Sequence, residues 1–220
     1  MQISIFEALG PIMIGPSSSH TAGAARLSRI AAQIAGRSFS RVSFGLHGSF
    51  AKTYRGHGTD KALVAGALGL YEDDERLSQA FHLAKERSLR YDFYEIALEG
   101  VHENTVKITF YHDDGISEII GSSIGGAQIL IREIDGFALD YSAHSAALLL
   151  TQRDKKGVIS KVTGILADRD INIGVMKVSR RSKGDIAHCI LEVDTPVPGD
   201  VLAVIRECGD VMQARAIDPA

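Results

Sequence analysis

The tightest constraint on this chain lies in its last third, where the spacing of apolar residues changes period in a fixed order. "AALLLTQ" (146–152) is a compact apolar run of strand length. "GVISKVTGILADRD" (157–170) then puts Val158, Val162, Ile165 and Leu166 on one helical face. "INIGVMKVSRRS" and "DIAHCILEVD" read as two strands of alternating character, with the polar turn "RRSKGD" between them. "PGDVLAVIREC" carries a proline near a helix N-terminus and sets Val201, Ile205 and Cys208 along one face. "DVMQARAI" (210–217) supplies a last strand. The order βαββαβ is the ferredoxin-like plan, an antiparallel sheet with two helices on one side.

The residues before it follow a looser grammar. A short helix near residues 4–13 leads into "GPSSSHT" (15–21), and "AGAARLSRIAAQIAG" (22–36) is a small-residue helix stopped by glycine. "RVSFGLHGSF" (41–50) contains a strand running into a glycine turn, and "TDKALVAGALGL" and "DERLSQAFHLAKERS" read as helices. "YDFYEIAL", "ENTVKITFYHDD", "ISEIIGSSIGG" and "AQILIREID" supply strands. The expectation is an α+β chain: a helical front and antiparallel sheet over residues 1–142, then the smaller module over 146–220. The junction falls near residues 140–145, without a Gly/Ser tract.

Charge and cysteine content exclude several functions. The 24 Lys and Arg against 27 Asp and Glu leave a net charge of −3, which argues against a nucleic-acid partner. "MQISIFEALGPIMIG" has no basic stretch ahead of its apolar residues, so no signal peptide is expected, and no apolar run reaches bilayer length. A soluble cytoplasmic protein with no membrane partner is the expectation. The two cysteines, Cys189 and Cys208, lack metal-ligand spacing, so no iron–sulfur or zinc site is expected in this chain alone.

The chemistry-bearing residues gather in the first part. Ser17, Ser18, Ser19, His20 and Thr21 all hydrogen-bond, and a single serine suffices to cap a helix. The excess suits a cradle for a carboxylate or phosphate at a helix N-terminus, against the plainer reading of a polar capped loop. His57 stands between Gly56 and Gly58, small flanks that admit a substrate to an imidazole able to take a proton near neutral pH. Thr59 and Asp60 follow as a capping pair; the plain alternative is a surface histidine in a turn. His102 and Asn104, at alternate positions, can share one face of an extended segment. In "GSSIGGA", Ser123, Gly125 and Gly126 offer either an anion nest or a tight β-turn. His47, His82, His112, His144 and His188 have no identifiable partner in the sequence.

In this order, "GPSSSHTAGAARL", "LHGSFAKTYRGHGTDKA", "HEN" and "SSIGGA" resemble the beta domain of iron–sulfur-dependent L-serine dehydratases. "DKKGVISKVTGILADRDINI" looks like the head of an ACT domain, a small module that often binds amino acids. The resemblance covers nearly the whole chain and implies a two-chain enzyme. In that family a separate, cysteine-bearing alpha chain ligates a [4Fe–4S] cluster, and L-serine loses water to give aminoacrylate, then pyruvate and ammonia. The resemblance makes His57 the base, with His20 and Thr59 as further catalytic candidates. It puts Ser17, Ser18, Ser19, Thr21, His102, Asn104, Ser123, Gly125 and Gly126 around the substrate. It makes Asp154, Gly157 and Val158 an effector loop and the ACT module a dimerisation element.

Two departures stand out. Ala127 occupies the place of a third glycine, which weakens an anion nest there, and "AGAA" stands where a Gly-Pro is common. Two rivals remain. One is a non-catalytic amino-acid-sensing subunit related to allosteric substrate-binding domains, against which "GHGTD" argues by supplying a base. The other is a hydro-lyase for a different hydroxy-amino acid.

Overall fold

A computed structural model describes residues 15–36, 38–180 and 182–219, so the helix expected near 4–13 lies outside the described residues. The chain divides into two compact units. The first runs to Gly136 and takes in Asp140–Ser142; the second takes Phe137–Leu139 and the residues from Ala143 onward.

In the first unit, helix α1 (Ala24–Ala35) buries Leu27, Ile30 and Ile34 and ends at Gly36 with φ 62°. Strand β1 (Arg41–Leu46) is followed by α2 (Gly48–Thr53), α3 (Thr59–Ala67), a 3-10 turn (Glu75–Gln79) and α4 (Ala80–Glu86). Then come β2 (Arg90–Glu95), β3 (Thr105–His112), β4 (Gly115–Gly125) and β5 (Gln128–Ile134), and then β6 (Phe137–Tyr141), whose residues are divided between the two units. The six strands lie in the order β2-β1-β3-β4-β5-β6.

The α+β expectation holds, with one correction to the sheet. β1 pairs parallel with β2, Arg41 opposite Arg90 through Leu46 opposite Glu95, so the sheet is mixed rather than antiparallel. A parallel pair needs a long crossover, and the helices between the two strands provide it. Small residues let α1 and α3 approach closely: a Cβ on Gly66 would come within 2.2 Å of the Ala25 carbonyl oxygen. Ser28 Oγ donates to the Leu63 carbonyl at 2.6 Å across the same contact. Leu27, Ile30 and Ile34 form the core with Phe44, Ile108, Phe110, Ile119 and Ile129, all fully buried.

The second unit has the expected βαββαβ order: β7 (Ala146–Arg153), α5 (Val158–Ala167), β8 (Ile173–Arg180), β9 (Ile186–Val193), α6 (Gly199–Arg206) and β10 (Val211–Ile217). Its antiparallel sheet runs β10-β7-β9-β8. Leu148, Leu150, Cys189 and Leu191 pack against Val158, Val162, Leu166, Val201 and Ile205. β8 does not alternate as expected; it is an edge strand whose Val175, Met176 and Val178 are 40–48% exposed. Cys208 lies beyond the end of α6, half-buried. Among the described residues no helix is long and apolar enough to cross a membrane.

Candidate functional site

The serine run does not precede a helix as a loop; it is itself helical. Ser18–Gly23 forms one π-helical turn continuous with α1. Ser17 is the N-cap, with φ −142° and ψ 127°, and its Oγ accepts the His20 N–H at 3.1 Å. Its carbonyl accepts from the amides of Thr21 at 3.0 Å and Ala22 at 3.3 Å, which is what widens the turn. One serine therefore caps, as the excess argument required, and Ser18 and Ser19 ride half-buried on the turn.

That turn brings His20 against His57. Their ring centroids lie 4.9 Å apart at 80°, and the His20 ring also meets Phe50 edge-on at 5.3 Å. His20 Nε2 lies 3.1 Å from Ser49 Oγ in a hydrogen bond. Burial, and to a lesser degree the neighbouring His57, push the His20 pKa below its ordinary 6.5. Buried Thr21 donates from Oγ1 to the His57 carbonyl at 3.0 Å, tying the two segments together. His57 as a residue is exposed.

Two local expectations are corrected here. Thr59 and Asp60 do not cap α3: Gly58 is the N-cap at φ 70°, no side chain caps the helix, and Asp60 Oδ1 accepts from Lys61 N–H instead. A left-handed glycine turns the chain into the helix, which leaves Thr59 as its first residue, fully buried. His102 and Asn104 are not on an extended segment. They form a turn in which Asn104 N–H donates to His102 Nδ1 at 3.1 Å, with His102 exposed.

Ser123, on β4, is fully buried and donates its N–H to the Asn104 carbonyl at 2.9 Å. A Cβ on Gly23 would come within 2.0 Å of Ser123 Oγ, so only glycine lets the serine turn close on this strand. Gly125 at φ 101° and Gly126 at φ 58° belong to the end of β4 and the turn into β5. Buried Ala127 completes that turn at φ 59°; this is the tight β-turn of the two readings.

Three polar atoms in this region are buried without a hydrogen-bond partner among the described residues: Thr59 Oγ1, Asn104 Oδ1 and Ser123 Oγ. A buried polar group left unpaired costs about 1–3 kcal/mol, so each of the three calls for a partner that the described residues do not supply. Sequence reasoning marked all three residues but missed Ser49. Its only sequence signal is its place in "LHGSF", next to the glycine that starts α2.

The loop of the second unit is arranged otherwise. Asp154 Oδ2 accepts from the Arg180 guanidinium and from Gly184 N–H at 2.9 Å, and these bonds hold its pKa below the usual carboxylate range. Gly157, at φ 88°, caps α5, and Val158 is buried in the core. The cavity beside them, with Lys156, Lys161 and Asp210, is about 110 Å³, smaller than the roughly 300 Å³ at which ligand pockets begin.

The donors for a [4Fe–4S] cluster do not fit in this chain. Cys189 is buried and its thiol is pushed up to about 12, and among the described residues no three His, Cys, Asp or Glu side chains group to hold a metal.

Comparison with known proteins adds independent observations. Residues 4–133 match the family described as serine dehydratase beta chain, and residues 146–210 match the ACT domain. The chain is 41% identical over 214 residues to a probable L-serine dehydratase, beta chain, of Bacillus subtilis (strain 168), covering 97% of each. It is 41% identical over 204 residues to the L-serine dehydratase, beta chain, of Peptoniphilus asaccharolyticus, covering 92% of each. A D-3-phosphoglycerate dehydrogenase of Bacillus subtilis is 28% identical over 159 residues, 72% of this chain and 30% of that one.

Proposed function

The chain belongs to the serine dehydratase beta chain family, and we propose that it is the substrate-holding chain of a cytoplasmic L-serine dehydratase. The observation that carries this reading is the trio of buried atoms on Thr59, Asn104 and Ser123 that find no partner among the described residues, on segments that contacts tie to the His20–His57 pair. L-Serine offers a carboxylate, an ammonium and a hydroxyl, which together can satisfy unpaired donors and acceptors of both kinds.

In this reading Ser18, Ser19, Thr59, Asn104 and Ser123 hold the amino acid, with the N-terminal end of the serine turn favouring its carboxylate. Ser17 is committed to its cap, and Thr21 to the His57 carbonyl, so both act by holding the site's shape. Exposed His57 is accessible to a bound substrate and takes the Cα proton. Donors to the carboxylate stabilise the charge that grows there as the proton leaves. The Cβ hydroxyl departs as water, giving aminoacrylate; its imine tautomer hydrolyses to pyruvate and ammonia. Loss of the hydroxyl calls for a Lewis acid that these residues do not furnish, and the reading assigns the [4Fe–4S] cluster to a cysteine-bearing alpha chain. The ACT unit is taken as the dimer contact and effector module, with Gly157 and Val158 beside the loop and Asp154 holding the β8–β9 hairpin.

The resemblance to allosteric substrate-binding domains keeps a second reading, an amino-acid-sensing subunit without turnover. One experiment separates them. Co-purified anaerobically with a cysteine-bearing partner, the chain is expected to form pyruvate from L-serine; alone, with iron and sulfide, it forms none and gains no iron–sulfur absorbance. Binding of L-serine without pyruvate or exchange of its Cα proton in the two-chain complex would favour the sensor. A cluster built stably on this chain alone would sink the two-chain reading.

A further inference from the structure

The sheet of the second unit packs one face on its helices and leaves the other to a use that no motif marks. Leu148, Leu150 and Leu191 belong to the core with the helices. Alternation turns Leu149 and Ile190 to the opposite face, yet they are only 4% and 3% exposed. Residues Phe137–Leu139, which group with this unit, lie over that face, and the Phe137 ring meets His188 with centroids 3.8 Å apart. The cover does not close on the strands. It leaves a cavity of about 350 Å³, inside the range of ligand pockets, whereas the space beside Gly157 is about 110 Å³.

Strand register orders the floor of this cavity in two rungs. Leu149, Ile190 and Lys177 stand opposite one another in the first. His188 and Ser179 stand in the second with Thr151, whose Oγ1 is hydrogen-bonded to His188 Nδ1 at 3.3 Å. The first rung is apolar at its centre and carries an ammonium at its outer end, since β8 is the edge strand and Lys177 is exposed. The second offers a hydroxyl and an imidazole. None of the described residues lining the cavity is an Asp or a Glu. Glu192, on the same face, stands one rung beyond Ile190 and outside the lining.

Apolar walls with a cation and no anion discriminate among small molecules by charge. A carboxylate can meet Lys177 and accept from Ser179 while its hydrocarbon is buried against Leu149 and Ile190. An ammonium in the same place would find no carboxylate, and a buried charge without a partner is costly. We propose that this cavity binds a short branched aliphatic carboxylate that lacks an ammonium group. The site is separate from the Gly157 loop, and it refuses the free amino acids that the likeness of that loop suggests.

A matched pair of ligands tests this, because 4-methylpentanoate is L-leucine without its ammonium. Titrated into the full chain with ¹³C-labelled methyl groups, 4-methylpentanoate should shift the Leu149, Val178 and Ile190 methyl signals. The shifts should saturate at millimolar concentration or below. L-Leucine and the uncharged 4-methylpentanamide should each bind at least about tenfold more weakly. Lys177→Met keeps the reach of the side chain and removes its charge. It should weaken 4-methylpentanoate about tenfold and leave 4-methylpentanamide unchanged. Methyl signals that 4-methylpentanoate does not move in the unsubstituted chain overturn the proposal, and that result needs no variant to fold. L-Leucine or the amide binding as well as the acid overturns it too, because charge would then select nothing. The readout is binding alone, so it is independent of the reading of the first unit as a site for L-serine.

Discussion

The serine turn of the first unit and the glycine loop of the second both sit at the start of a helix, and both resemble amino-acid-binding elements. They treat their polar atoms in opposite ways. Around the first, Thr59 Oγ1, Asn104 Oδ1 and Ser123 Oγ are buried and unpaired among the described residues. In the second, Asp154 is committed to Arg180 and Gly184, and Val158 to the core. Polar groups that have been desolvated but not satisfied are incomplete without a ligand. A carboxylate already bonded on two sides holds a hairpin. On the proposed reading, the difference suits the first region to a ligand and gives Asp154 a structural part in the second, with any effector role resting on the family likeness.

The sharpest way to break this comparison is to remove the proposed base. In the reconstituted complex, His57→Ala should lower kcat by about 10² to 10⁴, with L-serine still bound, because the groups that hold the carboxylate remain. Exchange of the Cα proton with deuterated solvent should fall in parallel. Near-normal turnover in this variant, with turnover lost in His20→Ala, would reverse the assignment of the two histidines.

Gly157→Val tests the second region. At φ 88° a β-branched residue is strained, so the free chain should lose about 1–2 kcal/mol in denaturant unfolding. No neighbour lies within 4 Å of a Cβ there, so Gly157→Ala, whose cost is the backbone alone, should also destabilise the chain. If calorimetry shows amino-acid binding to this loop abolished while stability is untouched, the loop is a site after all.

Ser123→Ala probes the opposite prediction for the first region. Removing a buried hydroxyl with no partner should stabilise the ligand-free chain by on the order of 1 kcal/mol, yet raise KM in the complex. A destabilised variant would mean that the hydroxyl is already satisfied, and the argument for a prepared site would weaken with it.

The smallest effect concerns Asp154. Its folded pKa is depressed by the Gly184 amide and Arg180, so its contribution to stability is present above the unfolded value, about 3.9. It is lost as pH falls through the folded pKa. Asp154→Asn should therefore unfold earlier than the unsubstituted chain at pH 6, with the gap closing as pH falls below the unfolded value. A gap that persists unchanged in acid would show that the aspartate acts by packing rather than by charge.

How far the sequence disclosed this molecule depended on the range of the interactions involved. The βαββαβ unit was readable because Val158, Val162 and Leu166, or Val201 and Ile205, repeat at a helical period that local burial enforces. The parallel pairing of β1 with β2 was not, because it depends on how the intervening helices cross back, which no local pattern encodes. Short α2, of six residues, has too few turns to show a period. Thr59 looked like a cap by type, but Gly58 reached the left-handed conformation first and displaced it. The residues of the site were visible as an excess of polar side chains, yet Ser49 meets His20 across 29 positions, and such a bond leaves no trace in spacing.

The two sulfurs offer a clock for the opening of the C-terminal unit. Alkylating reagents attack the thiolate, and the Cys189 thiol, with its pKa pushed up to about 12 and its surface fully buried, presents almost none in the folded chain. Cys208, half-buried beyond α6, remains within reach. Modification of the pair should therefore be biphasic, a fast event at Cys208 and a slow one at Cys189. The slow rate counts how often β9 is uncovered, so it measures the cooperative unfolding of that sheet under native conditions without any denaturant.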